Sequence, residues 1–362
     1  MYYNYLYIAG QNNFAGLNTQ IQKINPITMS IEATSNITGM TSMLPQAIFE
    51  AGNKLYAAYY NYSTPANSKI YELDKQTLNL LASHNISIKY NDSVTVDKNY
   101  IYTTVNGSYI IYKYNISDFS IAATYTGDST IHLHDGFKGI CIDDNYLYFT
   151  TDKYIGKLNK SDLSVVTYSN AWSNYTQWQK IISVANNIFV ARDDGDTTVS
   201  ITKFNKTDFN TAINSLGLPT GFNAYYITTD GKYIYFTTYN EYISQPRGIL
   251  YKYDLNLAYV TQSSAIGLSG SYDAIITDSL YNVNNFNSST DITGSTYIYV
   301  NNLSGSQQRI SKFNTNDLSL VNSTNISYSN GSGSMFMESF IVSNVLKLNH
   351  KVLKLNNRIV KI

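Results

Sequence analysis

The cluster best suited to chemistry is His132-Leu133-His134-Asp135. In an extended chain His132 and His134 fall on one side and could share a metal ion, with the Asp135 carboxylate beside them. Two ligands do not make a site, so further ligands would have to come from other parts of the chain; the alternative for an isolated His-x-His is a polar loop. Asp193, Asp194 and Asp196 offer the carboxylate oxygens that calcium prefers. They lack the D-x-D-x-D-G loop spacing, and Asp-Asp-Gly also reads as a tight turn. Trp172, Tyr175 and Trp178 carry rings that stack on a sugar or anchor a protein contact, unless they serve as packing.

Enzyme signatures are not evident. The glutamates are few (Glu32, Glu50, Glu72, Glu241 and Glu338), and no carboxylate pair announces glycosidase chemistry. No nucleophile elbow, P-loop or dinucleotide fingerprint is recognisable. The expectation is a chain without catalytic residues and without a cofactor. Asn-x-Ser/Thr sequons are abundant in this Asn-, Ser- and Thr-rich chain; Asn115, Asn159, Asn205 and Asn330 fall in predicted turns, where glycans can attach.

The elements that must position these residues come from a repeat. IQKINPITM starts at Ile21, IYELDKQTL at Ile70, IYKYNISDF at Ile111 and IGKLNKSDL at Ile155. ITKFNKTDF starts at Ile201, LYKYDLNLA at Leu250 and ISKFNTNDL at Ile310. The steps are 49, 41, 44, 46, 49 and 60 residues. A period in this range marks a repeat architecture and overrides the two or three domains suggested by a length of 362 residues.

Each phrase alternates apolar and polar positions, meets an Asn or Asp that starts a turn, and resumes in a second apolar strand such as DLSVV at 162–166. VDKNYIYTT (96–104), IDDNYLYFT (142–150) and TDGKYIYFT (229–237) add strand, Asp turn, strand before it, with TDSLYNVNN (277–285) as a degraded copy. Four antiparallel strands per period make a propeller blade, and seven periods make seven blades. The expected fold is therefore all-β: a seven-bladed β-propeller of four-stranded blades over residues 1–339, followed by a tail, 340–362. The first unit begins at Tyr5 on its second strand, so the missing innermost strand is expected from the far end of the chain, at Met335–Met337.

The stretch YIYTT…IIYKYN…DFSIAATY (101–125) resembles the YVTN-type propeller repeat of bacterial and archaeal surface proteins, and is similar to the wider PQQ-like and NHL propellers. The likeness covers about residues 20–320. It implies a fold and no particular activity. The composition, rich in Asn, Ile and Tyr with Lys far above Arg, resembles that of surface or virion proteins of archaea and their viruses.

Bulk properties narrow the partners. Apolar residues make up 43% and charged residues only 14%, with a net charge of zero, which argues against nucleic acid. One cysteine, Cys141, excludes an intrachain disulfide and a Cys-based zinc site. No classical signal peptide and no apolar run long enough for a membrane span are recognisable.

The tail IVSNVLKLNHKVLKLNNRIVKI reads two ways. Val345, Val352 and Ile359 with Leu348, Leu355 and Ile362 form an a/d heptad seam. VLKL, VLKL and IVKI also read as three short strands with NHK and NNR as turns. Either form could dock the ring to a partner or to copies of itself.

The long polar connections of one propeller face hold the candidate residues, because binding sites on rigid scaffolds sit on such loops. The expected function is a non-enzymatic interaction or adhesion propeller on a cell or virion surface, binding protein or glycan through one face. The alternatives are a propeller lyase or hydrolase with a channel site, and a purely structural capsid or appendage subunit.

Overall fold

A computed structural model describes residues 5–11, 19–37, 43–51, 53–61, 64, 67–88, 93–105, 109–127, 136–170, 180–193, 199–217, 223–239, 248–266, 275–277, 296–304, 307–326, 339–343, 353–355 and 358–360. The chain forms seven four-stranded antiparallel sheets arranged as a β-propeller.

From hub to rim, blade 1 is Ser339–Ser343, Tyr5–Gln11, Thr19–Ile24 and Ile31–Ile37. Blade 2 is Met43–Ala51, Lys54–Asn61, Lys69–Asp74 and Leu80–Asn85. Blade 3 is Val94–Val96, Tyr100–Val105, Ile110–Asn115 and Ile121–Thr126. Blade 4 is Gly139–Ile142, Tyr146–Thr150, Ile155–Asn159 and Val165–Tyr168. Blade 5 is Lys180–Val184, Asn187–Asp193, Val199–Asn205 and Asp208–Gly217. Blade 6 is Asn223–Thr229, Tyr233–Tyr239, Gly248–Asp254 and Tyr259–Gln262. Blade 7 is Ile275–Thr277, Tyr297–Ser304, Gln307–Asn314 and Leu320–Asn325.

The ring closes through blade 1, as the repeat requires, but with a different strand. Ser343 lies opposite Tyr5 and Ser339 opposite Ala9, so the closing strand is Ser339–Ser343 and not Met335–Met337, which lies outside the described residues. Two apolar runs stand side by side there, SMFM and SFIV, and local pattern alone does not choose between them. In blade 7 the strand that pairs with Ile275–Thr277 is Tyr297–Ser304. TDSLYNVNN beyond Thr277, and the Asn/Ser/Thr-rich segment that follows it up to residue 295, lie outside the described residues.

The apolar core is divided among the seams. Tyr7, Ile21, Leu55 and Leu73 pack between blades 1 and 2; Phe49, Ile70, Ile101 and Tyr114 between 2 and 3. Tyr102, Phe137 and Phe149 fill the next seam, then Tyr148, Ile188 and Phe204, then Phe189, Phe236 and Tyr251, then Tyr235, Val300 and Phe313. Leu6 and Ile24 meet Tyr299 and Ile310 between blades 1 and 7. Both faces of an inner strand are thus buried, which is why Lys54–Asn61 is nearly continuous in apolar residues.

Two turn types, on one end of the ring, set the register. Between the first and second strands, Asp143 Oδ1 accepts the backbone N–H groups of Asn145 and Tyr146 at 3.0 and 2.8 Å, and Oδ2 accepts the Tyr148 hydroxyl at 2.8 Å. Asp97 and Asp230 repeat this with Tyr102 and Tyr235. Between the third and fourth strands a tight turn ends on an apolar residue in the left-handed region: the buried Met29, Leu78, Leu163, Leu257 and Leu318 and the half-buried Phe119, with φ between 56° and 63°. Such a conformation costs about 1–2 kcal/mol for a side chain other than glycine. Burying the side chain in the seam offsets it.

The tail contains a two-stranded hairpin, Leu353–Leu355 with Arg358–Val360. Val345, Leu348, Val352 and Ile362, on which the heptad seam also rests, lie outside the described residues.

Candidate functional site

The repeat phrase owes its lysine to the seams. The Lys157 side chain of blade 4 crosses to blade 5 and donates to the Lys206 carbonyl at 3.1 Å. Lys113 of blade 3 donates to the Lys160 and Ser161 carbonyls of blade 4 at 2.8 and 2.7 Å. Lys23 reaches the Gln76 carbonyl, Lys203 the Asn256 amide oxygen, Lys252 the Thr315 carbonyl and Lys312 the Pro26 carbonyl. Each acceptor lies in the tight turn of the following blade.

The second strand supplies a ring beneath the ammonium. Lys23, Lys113, Lys157, Lys252 and Lys312 lie 3.7–3.9 Å from the centroids of Tyr5, Tyr100, Tyr146, Tyr233 and Tyr297. Partly desolvated cation–π pairs of this kind contribute about 0.5–2 kcal/mol. Burial holds Lys113, Lys157 and Lys252 below the ordinary lysine range, with nearby aspartates opposing it. The next tyrosine along each strand is fully buried. Desolvation, then the Asp143 charge and hydrogen bond, push the Tyr148 hydroxyl far up, and Tyr102 behaves likewise beside Asp97.

The turn lysines complete the seam from the other side. Lys206 pairs with Asp143 at 2.9 Å and Lys160 with Asp97 at 3.4 Å, each bridging a blade to its predecessor. Burial works to raise the Asp143 carboxyl; the Lys206 hydrogen bond and charge, with Tyr146 and Tyr148, outweigh it and hold it low.

The seam between blades 2 and 3 is built differently. Glu72 stands where the other six blades carry lysine, paired with Lys54 at 2.6 Å. His84 stacks on Phe119 across this seam, with ring centroids 4.0 Å apart.

The candidate ligand-binding residues separate by face. Connections from second to third strand, and from one blade to the next, lie at the end of the ring away from these turns. His132, His134, Asp135, Trp172, Tyr175, Trp178, Asp194 and Asp196 belong to such connections and lie outside the described residues, as does Asn330. Asp193 ends its strand opposite Val199. Among the described residues no three His, Cys, Asp or Glu side chains gather as metal ligands.

Asn115, Asn159 and Asn205 sit on the opposite face, each at the start of a tight turn and half-buried. The Asn115 and Asn159 amides donate to Ser120 and Ser164 hydroxyls at 2.8 Å, and Asn205 Oδ1 accepts from Thr207. The structure brings these three together as one repeated position. The seam lysines were the functional scaffold residues that periodicity alone did not assign. Their signal was a charge recurring at a buried strand position, beside a Tyr-x-Tyr strand.

No described helix is long and apolar enough to cross a membrane. No family model and no curated protein matches the chain. Many solved structures do. One is KlHsv2 with loop 6CD replaced by a Gly-Ser linker, 10% identical, covering 85% of this chain and 92% of that one at a TM-score of 0.54. At that identity the likeness concerns the fold alone.

Proposed function

We propose that this propeller is a non-enzymatic interaction module of a cell or virion surface, of the kind found in archaea and their viruses, which binds a protein or glycan through the face opposite the seam turns. The observation that supports this reading is the use of the repeat's own charged groups. Lys113, Lys157, Lys252 and Lys312 donate to backbone carbonyls of the next blade, and Asp97 and Asp143 are tied to tyrosine hydroxyls and turn lysines. These groups hold the ring. Recognition then falls to residues outside the repeat phrase, on the connections that carry Trp172, Tyr175, Trp178, His132, His134 and Asp135.

Rigid aromatic anchors beside short polar side chains suit adaptable recognition of sugars and proteins. The test is a glycan array and a surface-protein binding screen with the full chain and the Trp172→Ala/Trp178→Ala variant. Binding lost in the variant at unchanged melting temperature supports the reading. Binding that survives both substitutions, or stoichiometric metal with hydrolytic activity, overturns it. Mass spectrometry of peptides bearing Asn115, Asn159 and Asn205 tests the surface location, since attached sugar places the mature chain outside the cytosol.

A further inference from the structure

The outer edge of the ring carries a repeated unit whose carboxylate and last aliphatic side chain point away from the seam contacts already described. In blades 3, 4 and 7 the tight turn reads Asp-Phe-Ser-Ile, Asp-Leu-Ser-Val and Asp-Leu-Ser-Leu, starting at Asp118, Asp162 and Asp317. All three aspartates are exposed. In each, Oδ1 accepts both the backbone N–H and the hydroxyl of the serine two residues on, the hydroxyl at 2.7 Å. Three residues past the carboxylate stands an exposed aliphatic side chain: Ile121 at 55%, Val165 at 46% and Leu320 at 52% relative exposure. Val166 and Val321 extend the patch in blades 4 and 7. These residues open the outermost strand, which is paired on one side only.

The tail matches this unit in chemistry and period. VLKL, VLKL and IVKI place a lysine among aliphatic residues three times. All 25 acidic residues and 20 of the 25 basic ones lie in 1–339, so the ring carries −5 and the tail +5. Within the hairpin Lys354 stands opposite Ile359 and Arg358 opposite Leu355, and among the described residues neither strand pairs with a blade.

We infer that the tail hairpin of one copy adds to the outer edge of a blade in a second copy. Its basic residues meet the turn carboxylates, and its aliphatic residues cover Ile121, Val165 or Leu320. Strand addition to an open edge supplies backbone hydrogen bonds, and the repeated acid–aliphatic unit supplies register. The route of the chain favours a second copy over its own ring. The closing strand ends at Ser343 beside Tyr5, at the hub of blade 1 on the same face as the acidic turns. The nine residues 344–352 span at most about 30 Å. Blades 3 and 4 are not neighbours of blade 1, and three such edges face a single tail; blade 7 adjoins blade 1, so a tail docked on its own blade 7 is the competing outcome that the test separates. This assembly surface is separate from the proposed recognition face, so either can fail without the other.

The test is the mass of the full chain by sedimentation velocity and light scattering across concentration, in about 50 mM and about 500 mM salt. Three proteins are compared: wild type, the tail variant Lys354→Glu/Arg358→Glu, and the ring variant Asp118→Lys/Asp162→Lys/Asp317→Lys. Wild type should associate at low salt, with affinity at least tenfold weaker at high salt. Each variant alone should be monomeric with an unchanged β circular-dichroism spectrum. An equimolar mixture of the two variants should associate again, because Lys-bearing edges now meet Glu-bearing hairpins. A wild type that stays monomeric throughout, including one whose hairpin cross-links to its own ring, overturns the inference. So does association that neither charge reversal weakens, or a mixture that stays monomeric.

Discussion

The Lys312 ammonium donates to the Pro26 carbonyl at 2.6 Å, joining residues 286 positions apart in the chain. It is the same bond that Lys252 makes to Thr315 one blade earlier, so the ring closes with the chemistry of its internal seams. Closure therefore has two components: the hydrogen-bonded strand Ser339–Ser343 at the hub of blade 1, and a lysine latch further out between blades 7 and 1.

Replacing Lys312 with Met tests the latch. Met keeps the aliphatic stem and leaves the Pro26 carbonyl without its charged donor, and it removes the contact with the Tyr297 ring at 3.7 Å. A charge-assisted bond and a cation–π pair together give an expected loss of about 2–3 kcal/mol. Denaturant titration should show a lower midpoint with the slope unchanged. Lys203→Met should cost less, because its acceptor is a side-chain amide of Asn256 that can turn to water.

Gly156 occupies the variable position of the phrase, where other blades carry Tyr71, Tyr112 or Tyr251. A Cβ built there would meet the Phe149 ring, which is itself held by Phe137 at 4.9 Å and Tyr125 at 5.6 Å. The ring has no room to move, so Gly156→Ala should destabilise the fold by about 1–3 kcal/mol despite adding apolar volume. Adding Phe149→Leu should recover part of the loss.

Leu163 combines a φ of 61° with a side chain only 2% exposed. Leu163→Ala removes the buried atoms and keeps the backbone cost, with an expected loss of about 2–4 kcal/mol. Leu163→Gly removes the same atoms and relieves the left-handed strain, so it should be less damaging by about 1 kcal/mol. That order, glycine above alanine, is the reverse of ordinary strand positions and can be read from thermal melts of the two variants.

How much of this was legible in the sequence depends on the range of the signal. The phrase around Ile155 and its Asn159 fixed blade number, strand order and turn position, because period-2 alternation and Asx turns are local. The closing strand was not local: SMFM and SFIV are equally apolar, and only pairing with Tyr5–Ala9 distinguishes them. In blade 7 the Tyr-x-Tyr pair of the second strand stands late, at Tyr297 and Tyr299, which accounts for the longest step of the repeat, 60 residues. The lysines were visible but unassigned. Alternation put Lys157 on one face of a strand, and a half-exposed sheet would give it to water. A propeller blade buries both faces, so the same alternation sends it to the neighbouring turn.

The buried tyrosines make an alkaline limit the expected mode of failure. Burial pushes the Tyr71 hydroxyl from its ordinary value of 10 up to about 12. Tyr7, Tyr102 and Tyr148 stand higher still, first through burial and then through nearby carboxylates. A tyrosine whose folded pKa exceeds its unfolded value keeps its full stabilising contribution below pH 10 and loses it as pH rises beyond that. Lys113, Lys157 and Lys252 act in the opposite sense, because their lowered pKa values mean the folded state sheds its protons first as pH rises towards 10.5. The tyrosine shifts are larger in number and extent, so the net slope above pH 10 should be destabilising. Tyrosinate absorbance should rise in two parts, a gradual one from exposed rings and a sharp one coincident with loss of the β circular-dichroism signal. A smooth titration of all tyrosines near pH 10 with the fold intact would contradict the buried Tyr–Asp pairs at the seams.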